Sequence, residues 1–216
     1  AIGIVQLTVQ LRQTDAFAAQ SHCYAACQIH LDIQPCRRNG NGSLMRILPL
    51  VPYIINMEEE DRFRIIGEVS SLTHRHPRSI LACIFLCKFA IQYLATKEIP
   101  TAFAYTQKEI KYLLTQEKFK NECSHFDRLV NLTYEQFRNI AENDIKSTGY
   151  VIDTLEASLW SVFNHDSFKD SVLCAVNLGY DADTVGAITG ALAGIIYGHD
   201  SIPEEWLNVL ARKEDI

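Results

Sequence analysis

Residues 78–96, RSILACIFLCKFAIQYLAT, are apolar at almost every position. A helix with apolar side chains on all sides has no face to give to water, so it must be surrounded by other elements or by lipid. A bilayer span needs roughly 20 uncharged, mainly apolar residues, and Lys88 and Gln92 interrupt this run. The segment therefore predicts a buried central helix inside a shell of further helices.

Other stretches supply that shell. Phe63, Ile66 and Val69 stand at helical spacing and predict a helix over 58–72, which THRHP at 73–77 breaks. TQKEIKYLLTQEKF (106–119) is amphipathic. LTYEQFRNIAEND (132–144) opens with Thr133 as N-cap and Gln136 three positions later, the spacing of a capping box. The whole of 101–146 is rich in charge and in Asn, Gln and Lys, and reads as an outer layer. DTLEASLWSVF (153–163) repeats the capping signature with Asp153 and Glu156, and points Leu155, Leu159, Trp160 and Phe163 inward. SFKDSVLCAVNLG (167–179) is a further amphipathic helix with Gly179 as its C-cap, and SIPEEWLNVLARK carries Pro203 in a first helical turn.

The start of the chain is less regular. AIGIVQLTVQL (1–11) fits either a short strand or the start of an apolar helix. Residues 14–31 have helical composition, with Phe17, Cys23 or Tyr24, Cys27 and Leu31 near one face, and NGNGS (39–43) is a glycine-punctuated loop. No strand alternation persists anywhere. The expected fold class is all-α: a compact single domain over 1–216, with 1–38 as a divergent N-terminal segment.

Composition narrows the function. With 48% hydrophobic residues the chain is globular, and its net charge of −6 argues against a general nucleic-acid binder. An anionic ligand must then be met locally, by backbone amides, one or two arginines, or metal ions. The seven cysteines (23, 27, 36, 83, 87, 123 and 174) are odd in number and irregular in spacing, unlike a secreted disulfide framework. Buried free thiols and a cytoplasmic location are the expectation. Cys23, Cys27, His30 and Cys36 match no common zinc spacing. The chain opens at Ala1 with neither Met nor a basic leader, as a trimmed or partial N-terminus would.

GYDADTVGAITGALAGIIYG (179–198) carries the most chemistry. Its apolar part, Val185–Tyr197, is about 13 residues, too short for a bilayer. Glycine recurs at 186, 190, 194 and 198. Each interior glycine costs up to about 1 kcal/mol of helix propensity, so the stripe predicts close packing that recovers the loss, with Gly198 as a C-cap. Asp181, Asp183 and Thr184 stand at the helix N-terminus. One of them suffices as a cap. Three oxygen donors in four positions suit a hard divalent cation such as Mg²⁺, Mn²⁺ or Ca²⁺.

Four segments occur in order: NGNGSLMRILPL (39–50), THRHP (73–77), STGYVIDTLEASLW (147–160) and GYDADTVGAITGALAGIIYG (179–198). Together they resemble the ADP-ribosylglycohydrolase family, in particular its members of the dinitrogenase-reductase-activating type. These are all-α enzymes that remove ADP-ribose from modified proteins. The resemblance implies that Asp181, Asp183 and Thr184 bind a divalent-metal pair, usually magnesium with manganese as substitute, and that the two aspartates are catalytic. It implies an ADP-ribose pocket lined by Gly40, Asn41, Gly42, Ser43, Met45 and Arg46, with Thr73 and His74 beside the ligand. Gly149, Tyr150 and Val151 resemble the stretch facing the adenosine or distal ribose. Each residue also has an ordinary reading: Arg46 as the partner of a surface carboxylate, His74 as a loop–helix cap, Met45 as core, Tyr150 as a rim aromatic.

The family's other metal motif, S/T-D-D-T near the N-terminus, is matched here only by Thr14–Asp15, followed by Ala16 and Phe17. Asp15 is either a remnant ligand of that motif or an unrelated residue in a shortened N-terminus. The expected function is metal-dependent hydrolysis of the bond linking ADP-ribose to a protein side chain, most naturally arginine. One alternative is an inactive relative that binds ADP-ribose or an ADP-ribosylated protein. Another is a helical scaffold with 101–146 as a partner interface. Neither a nucleic-acid nor a membrane partner is expected.

Overall fold

The computed structural model describes residues 39–211, and these are all-α as expected. Residues 1–38, with Asp15 and the Cys23–Cys36 group, lie outside them. The α-helices are α1 (Val51–Ile54), α2 (Glu59–Ser71), α3 (Pro77–Thr96), α4 (Ile99–Leu114), α5 (Asp127–Asn131), α6 (Tyr134–Arg138), α7 (Val151–Phe163), α8 (Phe168–Asn177), α9 (Ala182–Tyr197) and α10 (Glu204–Asn208). Single 3-10 turns link several of them. Among the described residues the only strand-like pairing is an isolated bridge between Gly40 and Tyr150.

Helix α3 is the central helix the sequence predicts. Pro77 stands in its first turn, and His76 caps it, with Nδ1 accepting the Arg78 N–H at 3.1 Å. Lys97, with φ 59°, ends it in the left-handed region. Every residue from Ser79 to Ile91 is buried. The helix is long and apolar enough to cross a membrane, yet 78% of its most apolar stretch is covered by the rest of the fold. Lys88 is only 1% exposed, and its ammonium is met by Glu59 of α2 at 3.2 Å and by Glu109 of α4. Buried charge requires such pairing.

Phenylalanines join α3 to its neighbours. Phe89 of α3 and Phe163 of α7 lie 5.6 Å apart between ring centroids, and Phe103 of α4 stands 5.2 Å from Phe163. Phe137 of α6 is 5.5 Å from Phe103. Phe103, Phe126 and Phe137 are fully buried, so 101–146 is no mere outer layer: its charges face outward and its aromatics enter the core. Helix α4 begins at Ile99, well before the expected Thr106, because Pro100 pre-sets its first turn and Ala102 and Phe103 bury against the core.

The capping box forms as expected. Thr133 Oγ1 accepts the Gln136 N–H at 3.2 Å and Gln136 Oε1 accepts the Thr133 N–H at 2.9 Å, although the helix they start is only five residues long. The capping signature over 153–163 fails. Helix α7 starts at Val151 with Tyr150 as N-cap, so Asp153 is already inside the first turn and accepts from Thr148 Oγ1 at 2.6 Å instead. Glu156 is buried and pairs with Arg128 of α5 at 3.3 Å. Pro203 is the N-cap of α10 and precedes its first turn.

The glycine stripe of α9 is uneven. A Cβ on Gly186 would lie 2.9 Å from Val176 Cγ1 of α8, and one on Gly190 would make ordinary contact with Val172 at 3.7 Å. A Cβ on Gly194 would meet no atom of the described residues within 4 Å, so close packing accounts for the first part of the stripe only. Gly179 and Gly198 end α8 and α9 with φ of 79° and 83°, the C-capping role expected of them.

Candidate functional site

The chain reaches α9 through two successive left-handed residues, Gly179 (φ 79°) and Tyr180 (φ 50°). The turn is tied to the segment before α7. Ser147 Oγ lies 3.2 Å from the Leu178 carbonyl and 3.1 Å from that of Gly179, and the Asp181 N–H donates to the Ser147 carbonyl at 3.0 Å. Asp181 is the N-cap of α9, but its carboxylate does not cap the helix. Oδ2 accepts from Asn41 Nδ2 at 2.5 Å, and Oδ1 accepts from Thr184 Oγ1 at 3.0 Å. Asp183, in the first turn of the helix, is exposed, and Thr184 is buried.

Asn41 is the hub. It is buried, its second amide hydrogen goes to Thr154 Oγ1 at 2.8 Å, and its backbone N–H donates to the Gly149 carbonyl at 3.2 Å. The Thr154 hydroxyl in turn donates toward the Thr148 carbonyl at 2.9 Å. With the Val151 N–H donating to the Asn39 carbonyl at 2.9 Å, this forms the short bridge at Gly40 and Tyr150. A Cβ on Gly149 would lie 3.4 Å from Asp181 Oδ2. Residues 40–42, 147–154 and 181–184 thus form one hydrogen-bonded unit around the Asp181 carboxylate.

The imidazole of His74 lies across the glycine loop. A Cβ on Gly42 would stand 2.8 Å from its Cε1, and one on Gly40 3.3 Å from its Nε2. The close approach that the glycines permit is therefore made by His74. Arg46 Nη2 donates to Thr73 Oγ1 at 2.5 Å and Nη1 to the Gly42 carbonyl at 3.2 Å. Thr73 Oγ1, which accepts from Arg46, also lies within hydrogen-bond distance of His74 Nδ1, at 2.7 Å. Burial, and secondarily the Arg46 charge, hold the His74 pKa below its ordinary value, so the ring is neutral at neutral pH. The helix cap nearby is His76, not His74, and Arg46 binds Thr73 and Gly42, not the surface carboxylate of its ordinary reading.

Ser43 is fully buried, with the Cys83 thiol 3.5 Å from its Oγ, while Met45 is half-exposed and is not core. Tyr150 turns its side chain toward Arg78 and His125. Sequence reasoning missed Ser147, Thr148 and Thr154. The signal was their hydroxyls, clustered around Gly149 in STGYVIDT.

Asp181, Asp183 and Thr184 are hard oxygen donors of the type that magnesium or manganese takes. Among the described residues no group of three or more His, Cys, Asp or Glu side chains stands in position to hold a metal ion.

Comparison with known proteins follows the same residues. Residues 6–216 match the model of the ADP-ribosylglycohydrolase family. The ADP-ribosylarginine hydrolase Tri1 of Serratia proteamaculans is 36% identical over 179 residues, 82% of this chain and 44% of that protein. The ADP-ribosyl-[dinitrogen reductase] glycohydrolase of Rhodospirillum rubrum is 29% identical over 174 residues, 81% of this chain and 51% of that protein. A solved structure titled ADP-ribosylglycohydrolase-related protein complex superposes with a TM-score of 0.61 at 27% identity, covering 98% of this chain and 69% of that one. The chain spans about half the length of the curated relatives it matches. By its sequence motifs, its helical fold and the family model it matches, this chain belongs to the ADP-ribosylglycohydrolase family.

Proposed function

We propose that this chain hydrolyses the glycosidic bond between ADP-ribose and a protein side chain, with arginine as acceptor, and that Mg²⁺, or Mn²⁺ in its place, is bound through Asp181, Asp183 and Thr184. One observation carries the reading: segments distant in sequence meet in one place, with Asn41, Gly149 and Thr184 against the Asp181 carboxylate and His74 across the glycine loop that carries Asn41. The relatives named as ADP-ribosylarginine hydrolases support arginine as the acceptor.

Asp181 has both oxygens engaged by neutral donors, so its direction is set before any ligand arrives. Asp183 is exposed and open to a cation or a ribose hydroxyl. Arg46 is exposed and spends donors on the Gly42 carbonyl and on Thr73, leaving others for a diphosphate. Gly40 and Gly149 bring two stretches of backbone to the same edge. A divalent cation, when bound, supplies Lewis-acid polarisation of ribose hydroxyls and an activated water.

The test is release of ADP-ribose from an ADP-ribosylated arginine substrate, with Mg²⁺ and after chelation, paired with calorimetric binding of free ADP-ribose. Release that needs the metal and disappears in Asp183→Ala supports the proposal. Release unchanged by Asp183→Ala sinks the metal scheme, and absence of binding heat with or without Mg²⁺ sinks the ligand site. Binding without release favours a second reading, a relative that holds ADP-ribose or an ADP-ribosylated protein without cleaving it. Its support is that both carboxylates of the described site come from one short stretch, the N-cap and first turn of α9.

A further inference from the structure

Tyr150 is held in more ways than a rim aromatic needs. Its backbone is fixed by the bridge to Gly40 and by the Val151 N–H donating to Asn39. The Arg78 guanidinium lies over its ring, 5.6 Å from the centroid. Its hydroxyl is 3.2 Å from His125 Nδ1, and the His125 ring meets it edge-on at 6.5 Å. Arg78 is itself fixed at both ends: its backbone N–H donates to His76 Nδ1 at 3.1 Å, and Nε donates to Glu122 Oε2 at 2.7 Å. The Arg78 and Glu122 side chains are only 13% and 8% exposed. Such a pair is weak evidence for stability, because desolvation offsets much of its attraction. What this pair does achieve is to hold a planar cation against one face of Tyr150.

We propose that Arg78, Glu122 and His125 are positioning residues that fix the Tyr150 ring as a wall of the ligand site, and that they set affinity for ADP-ribose without setting the rate of bond cleavage. The proposal rests on the ligand site described under Proposed function. Two of the three residues come from the 3-10 turn Lys120–His125, so a segment outside the four motifs contributes to that site. Arg78 follows directly on THRHP, whose His74 lies against the glycine loop. One short stretch therefore braces both edges of the site. The bracing is electrostatic and directional: a guanidinium plane suits an aromatic face, and the Glu122 carboxylate neutralises it where water is scarce.

The experiment is calorimetric titration of ADP-ribose into the full chain and its variants, alongside steady-state release of ADP-ribose. Glu122→Ala is expected to weaken binding about five- to tenfold, the scale of losing one well-placed aromatic contact. KM rises in step while kcat holds. Glu122→Gln, which keeps an acceptor for Arg78 Nε, recovers most of the loss. Because Glu122 acts through Tyr150, the Glu122→Ala/Tyr150→Ala double variant binds no more weakly than Tyr150→Ala alone. Arg78→Lys, which keeps the charge and loses the plane, gives the same loss, and serves if Glu122→Ala fails to fold. Wild-type binding that survives Glu122→Ala or Arg78→Lys unchanged, additive losses in the double variant, or a fall in kcat matching the rise in Kd overturns the inference alone. A wild-type chain that binds no ADP-ribose overturns the site itself, and the inference with it.

Discussion

Replacing the α9 glycines one at a time by alanine separates two effects that the sequence superimposes. Every Gly→Ala change inside a helix gains up to about 1 kcal/mol of propensity. At Gly194 nothing among the described residues opposes that gain, since a Cβ there meets no atom within 4 Å. At Gly190 the new methyl makes ordinary contact with Val172 Cγ2 at 3.7 Å, so the gain is kept. At Gly186 the methyl would sit 2.9 Å from Val176 Cγ1, where carbon pairs prefer about 3.5–4.0 Å. Val176 is β-branched and lies on α8, so its one good helical rotamer cannot swing aside and α8 itself must move. Overpacking of this kind costs about 1–3 kcal/mol, which cancels or exceeds the propensity gain. The expected order of stability is Gly194→Ala and Gly190→Ala above wild type, and Gly186→Ala below it by up to about 2 kcal/mol. For a chain of this size 1 kcal/mol moves Tm by about 2–4 °C. Urea unfolding with unchanged m-values, together with thermal melts, reads the order directly. If Gly186→Ala stabilises as much as Gly194→Ala, the packing reason for the stripe is wrong.

Burial pushes the Glu156 carboxyl up to about 7, from an ordinary 4.5, against the lowering effect of Arg128. The folded chain thus binds the proton more tightly than the unfolded one, so this group's contribution is full below about pH 4.5 and is lost as pH rises toward about 7. Glu156→Gln should flatten the fall in stability across that window, as read from urea midpoints at successive pH values. Thr133→Ala removes the side-chain arm of the capping box, leaves the backbone arm to Gln136, and should cost about 1 kcal/mol in the same assay. Converting Glu59 and Glu109 together to Gln strands the Lys88 ammonium and should cost about 3–5 kcal/mol. Lys88→Met, which removes the buried ammonium itself and leaves Glu59 free to turn to water, should cost clearly less, and the reverse order would refute the pairing account.

Much of the helical order was legible because periodicity and caps are local. The all-round apolar run of α3 and the Thr133–Gln136 box needed no knowledge of neighbours. The misread parts depend on partners far along the chain. Averaged over 101–146 the composition is polar, and that average conceals Phe103, Phe126 and Phe137, whose burial is decided by α3 and α7. Lys88 interrupts an apolar run in sequence, while the carboxylates that permit its burial come from α2 and α4. Asp153 has the residue type and spacing of a cap. The bridge between Gly40 and Tyr150 starts α7 earlier and gives that aspartate a different partner.

The two aspartates at the start of α9 show the same limit at the site. In a regular helix, residues two apart point about 200° away from each other, so a D-x-D pair inside a helix has its carboxylates on nearly opposite sides. Asp181 escapes this because it stands before the helix, with φ −95° and ψ 51°, reached through the left-handed Gly179 and Tyr180. Its direction is then set by Asn41, 140 positions earlier, and by Thr184, whereas the direction of Asp183 is set by the helix itself. The sequence motif makes the two residues look equivalent. The fold makes Asp181 a tethered, half-buried carboxylate and Asp183 an exposed one. Substitution of Asn41 should therefore disturb the first carboxylate and leave the second in place, a division of roles that spacing alone does not contain.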